Sequence, residues 1–202
     1  GFEAERLYLL NKIPKYGNDH DEVDQFVREI TAFYSTELNR YATFRGGQYS
    51  LGVHSENGQV VFGLLTGATP DGRKQMEPLS IGAGSARGRE RQGYPAALKS
   101  VSKINASSVI SGISVNLKLH PSLLDSPQKI RRFRDLISTY FFDFGGQNLQ
   151  TTVVSTEILR VAQKNPADYR DLLVRISGYS ATFVDLTKYT QEEIIARTEY
   201  LR

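Results

Sequence analysis

The sequence predicts an α/β fold. Apolar residues recur at helical spacing in several runs, short β-branched runs lie between them, and the two kinds alternate along the chain. A composition that is 40% hydrophobic and 23% charged is that of a soluble globular protein, and 202 residues are enough for a domain with its own core. No run approaches the ~18 apolar residues that a membrane-spanning helix needs. The net charge of +3 is too small to argue for a nucleic-acid or anionic-membrane partner. Residues 1–10 carry Glu3, Glu5 and Arg6 and do not have the build of a secretory leader, so the protein is expected to be cytoplasmic.

The first punctuation is at residues 13–19. Pro14 and the pair Gly17 and Asn18 mark a turn, and Asn18 or Asp19 is placed to cap a helix. That helix is expected from residue 22 to about 39, with Val23, Phe26, Val27, Ile30, Phe33, Tyr34 and Leu38 forming a buried face. Residues 49–53 and 59–65 read as strands, and Asn57 with Gly58 between them is a type I′ hairpin signal. Pro70, Asp71 and Gly72 make a turn over residues 67–73. Residues 80–93 read as an irregular loop, because Gly82, Gly84 and Gly88 miss the dinucleotide-binding spacing by one place and have no strand–turn–helix setting.

Pro95 suits the first turn of a helix over residues 94–103. Residues 111–119 alternate as a strand that His120 and Pro121 end. Ser126 before Pro127 starts a helix with Ile130, Phe133, Leu136, Ile137, Tyr140 and Phe141 on its apolar face and Arg131, Arg132 and Arg134 in solvent. A loop at 143–147 leads to a β-branched strand over 148–154, a helix over 156–163 and a helical-looking run over 166–173. The strands 111–119 and 148–154 are expected to need neighbours from outside this sequence. Thr190 and Glu193 form a capping box for a last helix over 191–201.

Cysteine is absent, which excludes a disulfide framework, a cysteine-ligated zinc or iron–sulfur site and a thiol nucleophile within these 202 residues. The stretch Arg175, Ile176, Ser177, Gly178, Tyr179, Ser180, Ala181, Thr182, Phe183 reads locally as a strand, a glycine turn and a second short strand. It resembles the radical signature of the glycyl radical enzymes, the superfamily of pyruvate formate-lyase and the glycerol and diol dehydratases. Arg175, Gly178, Tyr179, Ala181 and Phe183 fall at the signature spacing, while Ile176 stands where valine is more usual. The loop Gly67, Ala68, Thr69, Pro70, Asp71, Gly72, Arg73, followed by Glu77, Pro78 and Leu79, is a second family resemblance, as are residues 11–19 and 140–201.

The resemblance implies the C-terminal part of an α/β barrel in which a glycine loop meets a cysteine loop. It divides the chain into a half-barrel segment, 1–140, of the pyruvate formate-lyase-like domain, and a glycyl radical domain, 141–202. Gly178 would store a backbone radical, supported by Arg175, Ser177, Tyr179, Ser180, Ala181 and Phe183. His54 either faces the substrate or is a surface histidine at a strand end. No metal or cofactor is expected on this chain. A partner activating enzyme, with an iron–sulfur cluster and S-adenosylmethionine, would install the radical, which would then pass to a cysteine on sequence absent here. The chain alone would be inactive, and the full enzyme a homodimer. Two readings follow: the C-terminal portion of an oxygen-sensitive lyase of formate-lyase, dehydratase or decarboxylase type in anaerobic metabolism, or a free-standing subunit that donates a fresh glycine loop to a damaged partner. The reach of the resemblance over several barrel elements favours the first.

Overall fold

The computed structural model describes residues 1–197, 199 and 200. Among the described residues seven α-helices and five strands make up the α/β fold: α1 (Phe2–Asn11), α2 (Asp21–Leu38), α3 (Gly58–Leu65), α4 (Tyr94–Ser102), β1 (Ser114–Leu119), α5 (Pro127–Ser138), β2 (Asn148–Val153), α6 (Thr156–Lys164), β3 (Leu173–Arg175), β4 (Ser180–Thr182), α7 (Lys188–Ile195) and β5 (Glu199–Tyr200). The strands form a parallel sheet in the order β2-β1-β5 and an antiparallel β3–β4 hairpin. No described helix is long and apolar enough to cross a membrane.

The central strand β1 pairs with β2 along its whole length, from Ser114 opposite Asn148 to Leu119 opposite Val153, and with β5 at Lys118 and Leu119. Within this chain it therefore has a full-length neighbour on one side and only a two-residue neighbour on the other, while β2 lies at the edge of the sheet with β1 as its one strand neighbour among the described residues. A central parallel strand is covered on both faces, so Val115, Leu117 and Leu119 are buried together with Lys118. Two apolar cores result. One gathers α4, β1 and Tyr140 with Tyr200; the other gathers Val154, Leu159, Val174, Ile176, Phe183 and Ile194 behind the β3–β4 hairpin.

The hairpin expected at residues 49–65 does not form. Glu56 and Asn57 both take left-handed conformations (φ 44° and 77°), and Asn57 then serves as the N-cap position of α3. Residues 49–53 make only an isolated bridge, Val53 to Ile113. Tertiary packing decides for the helix: the Leu79 N–H donates to the Gln59 carbonyl at 2.9 Å, and a Cβ on Gly63 would come within 2.6 Å of the Glu77 carbonyl oxygen. Only glycine lets α3 lie that close to residues 77 and 78.

Helix α2 forms where its periodicity places it, but the expected buried face is only partly covered: Val27 packs against the first core, and Val23 and Leu38 are half-buried. Phe26, Ile30, Phe33 and Tyr34 are each more than half exposed, and Asp24, Thr31 and Ser35 are the buried residues. The polar side is drawn inward because the Asp24 carboxylate accepts from Lys103 at 2.7 Å and from the Ser100 hydroxyl at 3.0 Å. Asn18 and Asp19 do not cap the helix, which starts after His20. Asn18 instead accepts from the Arg91 N–H at 2.7 Å, and Asp19 pairs with Lys99 and Lys103.

Ser126 caps α5 as expected, accepting from the Lys129 N–H, and the helix runs on through a single π turn, Thr139–Asp143. The run at 166–173 is a short 3-10 turn, Pro166–Tyr169, before β3. The capping box predicted on Thr190 and Glu193 is replaced by Thr187, whose hydroxyl accepts from the Thr190 N–H. Glu193 is taken by a buried ion pair with Arg197 at 2.8 Å, and the chain leaves the helix after Ile195 to build β5. The predicted helix end at Leu201 lies outside the described residues.

Candidate functional site

The β3–β4 hairpin presents Gly178 at its tip. The Ile176 N–H donates to the Tyr179 carbonyl at 2.9 Å, which closes a turn around Ser177 and Gly178. Gly178 has φ +89°, a conformation that side-chain-bearing residues avoid. A Cβ built on it would meet nothing within 4 Å. Backbone conformation, rather than crowding by neighbours, is what calls for glycine here.

Gly178 lines a cavity of about 330 Å³ together with His54, Ser114, Asn148, Gln150 and Ser177 among others. His54 thus shares a cavity with Gly178, on an exposed loop just past the Val53 bridge rather than at a strand end. A roomier recess of about 460 Å³, lined by Tyr16, Val23 and Arg89, contains none of the signature residues. The smaller cavity is the candidate site because it holds the signature residues Ser177 and Gly178 together with a cluster of polar side chains.

Each signature residue has a definite place. Arg175 closes β3. Its Nε donates to Gln150 Oε1 at 3.1 Å, one Nη to the Ser180 hydroxyl at 3.3 Å and the other to the Gly178 carbonyl at 3.1 Å. Ser177 is buried and lines the cavity. Tyr179 is half-exposed, and its hydroxyl accepts from the Asn57 amide at 2.6 Å. Ala181 packs against the second core, and Phe183 is fully buried in it. The Phe183 N–H donates to the Leu172 carbonyl at 2.8 Å, which brings the two arms of the hairpin together below the turn.

Four residues that sequence reasoning did not place at the site also hold this loop. Gln150 Oε1 accepts from the Gly178 N–H at 2.7 Å. Gln150 and Thr152 are two residues apart on β2 and so share a face; the Thr152 hydroxyl accepts from the Arg175 N–H at 3.1 Å. Arg197 donates to the Arg175 carbonyl at 2.8 Å and to the Ile176 carbonyl at 3.0 Å. Asn57 reaches the loop from α3. Nothing in the local sequence pattern of Gln150, Thr152 or Arg197 marks them as partners of the loop, and Asn57 carried only a turn signal.

A histidine and two carboxylates also meet near the end of β1: His120, Glu157 and Glu199 bring ligand-type atoms within 4.8 Å of one another. Their geometry is already committed. His120 Nδ1 accepts from the Ser122 N–H at 3.1 Å, and Glu199 accepts from both the N–H and the hydroxyl of Thr156.

The family model described as "Glycine radical" matches residues 79–184, and the model described as "Pyruvate formate lyase-like" matches residues 1–63. The chain is 40% identical to the probable dehydratase YbiW of Escherichia coli (strain K12) and 36% identical to the trans-4-hydroxy-L-proline dehydratase of Clostridioides difficile, in each case over 98% of this chain. Among solved structures it is similar to the glycerol-bound B12-independent glycerol dehydratase from Clostridium butyricum, with a TM-score of 0.94 and 44% identity over 99% of this chain. It spans about a quarter (25%) of the length of each of these relatives. The α/β fold, the turn at Gly178 and two family models that between them cover most of the sequence lead to one conclusion: the chain belongs to the glycyl radical enzymes and corresponds to a C-terminal part of them.

Proposed function

We propose that this chain is the C-terminal portion of a glycyl radical lyase and that Gly178 stores its radical. The observation that carries the proposal is the placement of Gly178 at a hairpin tip with φ +89°, with open space at its Cα and a place in the wall of a cavity lined by polar side chains. A partner activating enzyme, with an iron–sulfur cluster and S-adenosylmethionine, removes one hydrogen atom from the Gly178 Cα: a C–H bond breaks there, the hydrogen bonds to the activator's own organic radical, and the unpaired electron remains on Cα. Delocalisation over the flanking amide nitrogen and carbonyl requires a planar Cα, which a residue without Cβ reaches most easily. In the working enzyme the Gly178 Cα takes a hydrogen atom back from a cysteine thiol on sequence outside this chain, which leaves a thiyl to attack substrate. These 202 residues contain no thiol, so they turn over nothing alone.

Arg175, Ser177, Tyr179, Ser180, Ala181 and Phe183 support the loop: Arg175 and Ser180 through hydrogen bonds, Ala181 and Phe183 through the core behind it. His54 faces the substrate from across the cavity. The relatives named above are dehydratases, and that favours dehydration over the formate-lyase and decarboxylase alternatives. Residues 141–202 act as the radical domain, supported by a second core drawn entirely from residues 154–195 and its packed neighbours from 169 to 186. The lyase reading is preferred over a free-standing repair subunit because the family match reaches back to residues 1–63.

The test is electron paramagnetic resonance of the full-length enzyme carrying this sequence, treated anaerobically with its activating enzyme. The expected signal is an organic-radical doublet that collapses when glycine is deuterated at Cα. No doublet, or a doublet insensitive to glycine deuteration, overturns the proposal.

A further inference from the structure

The polar contacts on either side of the Gly178 Cα are of opposite sense. On the amide side, Gln150 Oε1 accepts from the Gly178 N–H at 2.7 Å. On the carbonyl side, an Arg175 Nη donates to the Gly178 oxygen at 3.1 Å. The two side chains are joined to each other, Arg175 Nε to Gln150 Oε1 at 3.1 Å. Gln150 is only 8% exposed, and its Nε2 donates to Ser114 Oγ at 3.1 Å and Asn148 Oδ1 at 3.2 Å. Both groups that face Oε1 are obligate donors and both groups that face Nε2 offer acceptors, so the amide has one orientation. Among the described residues no carboxylate pairs with Arg175, so its charge is spent on this loop.

We propose that Gln150 and Arg175 tune the Gly178 radical by polarising its two flanking groups in opposite directions. The proposal rests on Gly178 being the radical site. A glycyl radical is stabilised by an electron-donating nitrogen on one side and an electron-accepting carbonyl on the other. A hydrogen bond accepted from N–H makes the nitrogen a better donor. A charge-assisted hydrogen bond given to the carbonyl makes it a better acceptor. Each contact moves spin density off Cα onto nitrogen and oxygen, and in a half-enclosed polar network the effects of linked hydrogen bonds reinforce one another. The result is a deeper store. The exchange in which the Gly178 Cα takes a hydrogen atom from a thiol, and the thiol becomes a thiyl, is held toward the glycyl side. Gln150, 28 residues away from the glycine in sequence, is then a positioning and tuning residue that acts through its contact with the Gly178 N–H.

The experiment uses the full-length enzyme, activated anaerobically, with 15N-labelled glycine. Two variants push in opposite directions. Gln150→Leu keeps the bulk and removes the acceptor, so the α-proton splitting of the doublet widens and the nitrogen coupling falls. Gln150→Glu keeps the shape and places an ionised carboxylate, a stronger acceptor, against the same N–H, so the splitting narrows and the nitrogen coupling grows. Shifts of opposite sign support the proposal, since loosened packing would move both variants the same way. Unchanged couplings, shifts of the same sign, or loss of the doublet from both variants when the parent enzyme is activated would overturn it. No doublet in the parent enzyme itself would instead overturn the assignment of the radical to Gly178.

Discussion

Arg197 Nη1 donates to the carbonyl oxygen of Arg175 at 2.8 Å, so a residue beyond the last helix holds the strand that leads into Gly178. The same guanidinium is paired with Glu193 at 2.8 Å, and both side chains are buried. A buried pair of this kind fixes geometry more than it adds stability, yet removing one member leaves an uncompensated charge.

Arg197→Met is therefore expected to destabilise the chain by about 3–5 kcal/mol, because it strands the Glu193 carboxylate and frees two carbonyls of the hairpin. The double variant Arg197→Met, Glu193→Leu should recover most of that loss. Urea denaturation of the three proteins reads this directly. A single variant as stable as the parent would show that the pair does not hold the hairpin.

Lys118 predicts a pH dependence. Burial lowers its ammonium from the ordinary value of 10.5 to about 8, with Glu199, Glu193 and Glu157 opposing the shift and Arg197 adding to it. Between these two values the unfolded chain binds more protons than the folded one, so stability rises as pH rises from about 8 toward 10.5 and is lost again as pH falls through 8. Buried Tyr140, raised to about 12, opposes this only above about 10, where the unfolded phenol ionises. Thermal melts at pH 7.5 and at pH 9.5 should show the higher-pH sample as the more stable (about 8 and 10 bounding the window), and Lys118→Met should flatten the difference. A parent protein whose melting point falls over that window contradicts the assignment.

The exposed face of α2 predicts self-association of the 202-residue chain. Phe26, Ile30, Phe33 and Tyr34 lie in one stripe, each more than half exposed, and Phe33 and Tyr34 stack edge to face. A stripe of that size seeks cover. Light scattering should show oligomers for the isolated chain, and the pair Ile30→Lys, Phe33→Glu should shift it toward monomer. A monodisperse parent chain would show that the stripe is tolerated in water.

The places where sequence and structure agree and part company have physical reasons. Elements set by local rules came out where they were read: Ser126 and Pro127 start α5, Pro95 sits in the first turn of α4, and residues 175–183 make a strand, a turn and a strand. Elements set by distant contacts did not. Residues 58–65 are apolar enough for either structure, and the backbone of Glu77 and Leu79 selects the helix. The α2 periodicity was legible, but which side faces inward was decided by Lys103, 79 residues from Asp24. At the site, the glycine turn was legible in its nonamer. The residues that grip it, Gln150 and Asn57, were not, since the contact of Asn57 with Tyr179 spans 122 residues.

Gly178→Ala brings the conformational and chemical roles of the glycine together. At φ +89° an alanine is strained, and the cost of about 1–2 kcal/mol for a left-handed residue should appear as a modest loss of stability in denaturant titration. No further clash is expected, because nothing lies within 4 Å of the new methyl group. The variant should thus stay folded, with the Gln150 and Arg175 contacts able to form. Its chemistry should nevertheless fail in the full-length enzyme. The methyl group occupies the open direction at Cα and hinders the planar geometry that delocalisation needs, so the doublet should vanish. In the parent enzyme, air adds oxygen to the carbon radical, and the resulting peroxyl breaks the backbone there. A peptide beginning near Tyr179 should appear by mass spectrometry after air exposure of the activated parent and be missing from the variant. A doublet that persists in Gly178→Ala, or cleavage mapped to another residue, would move the radical away from this hairpin.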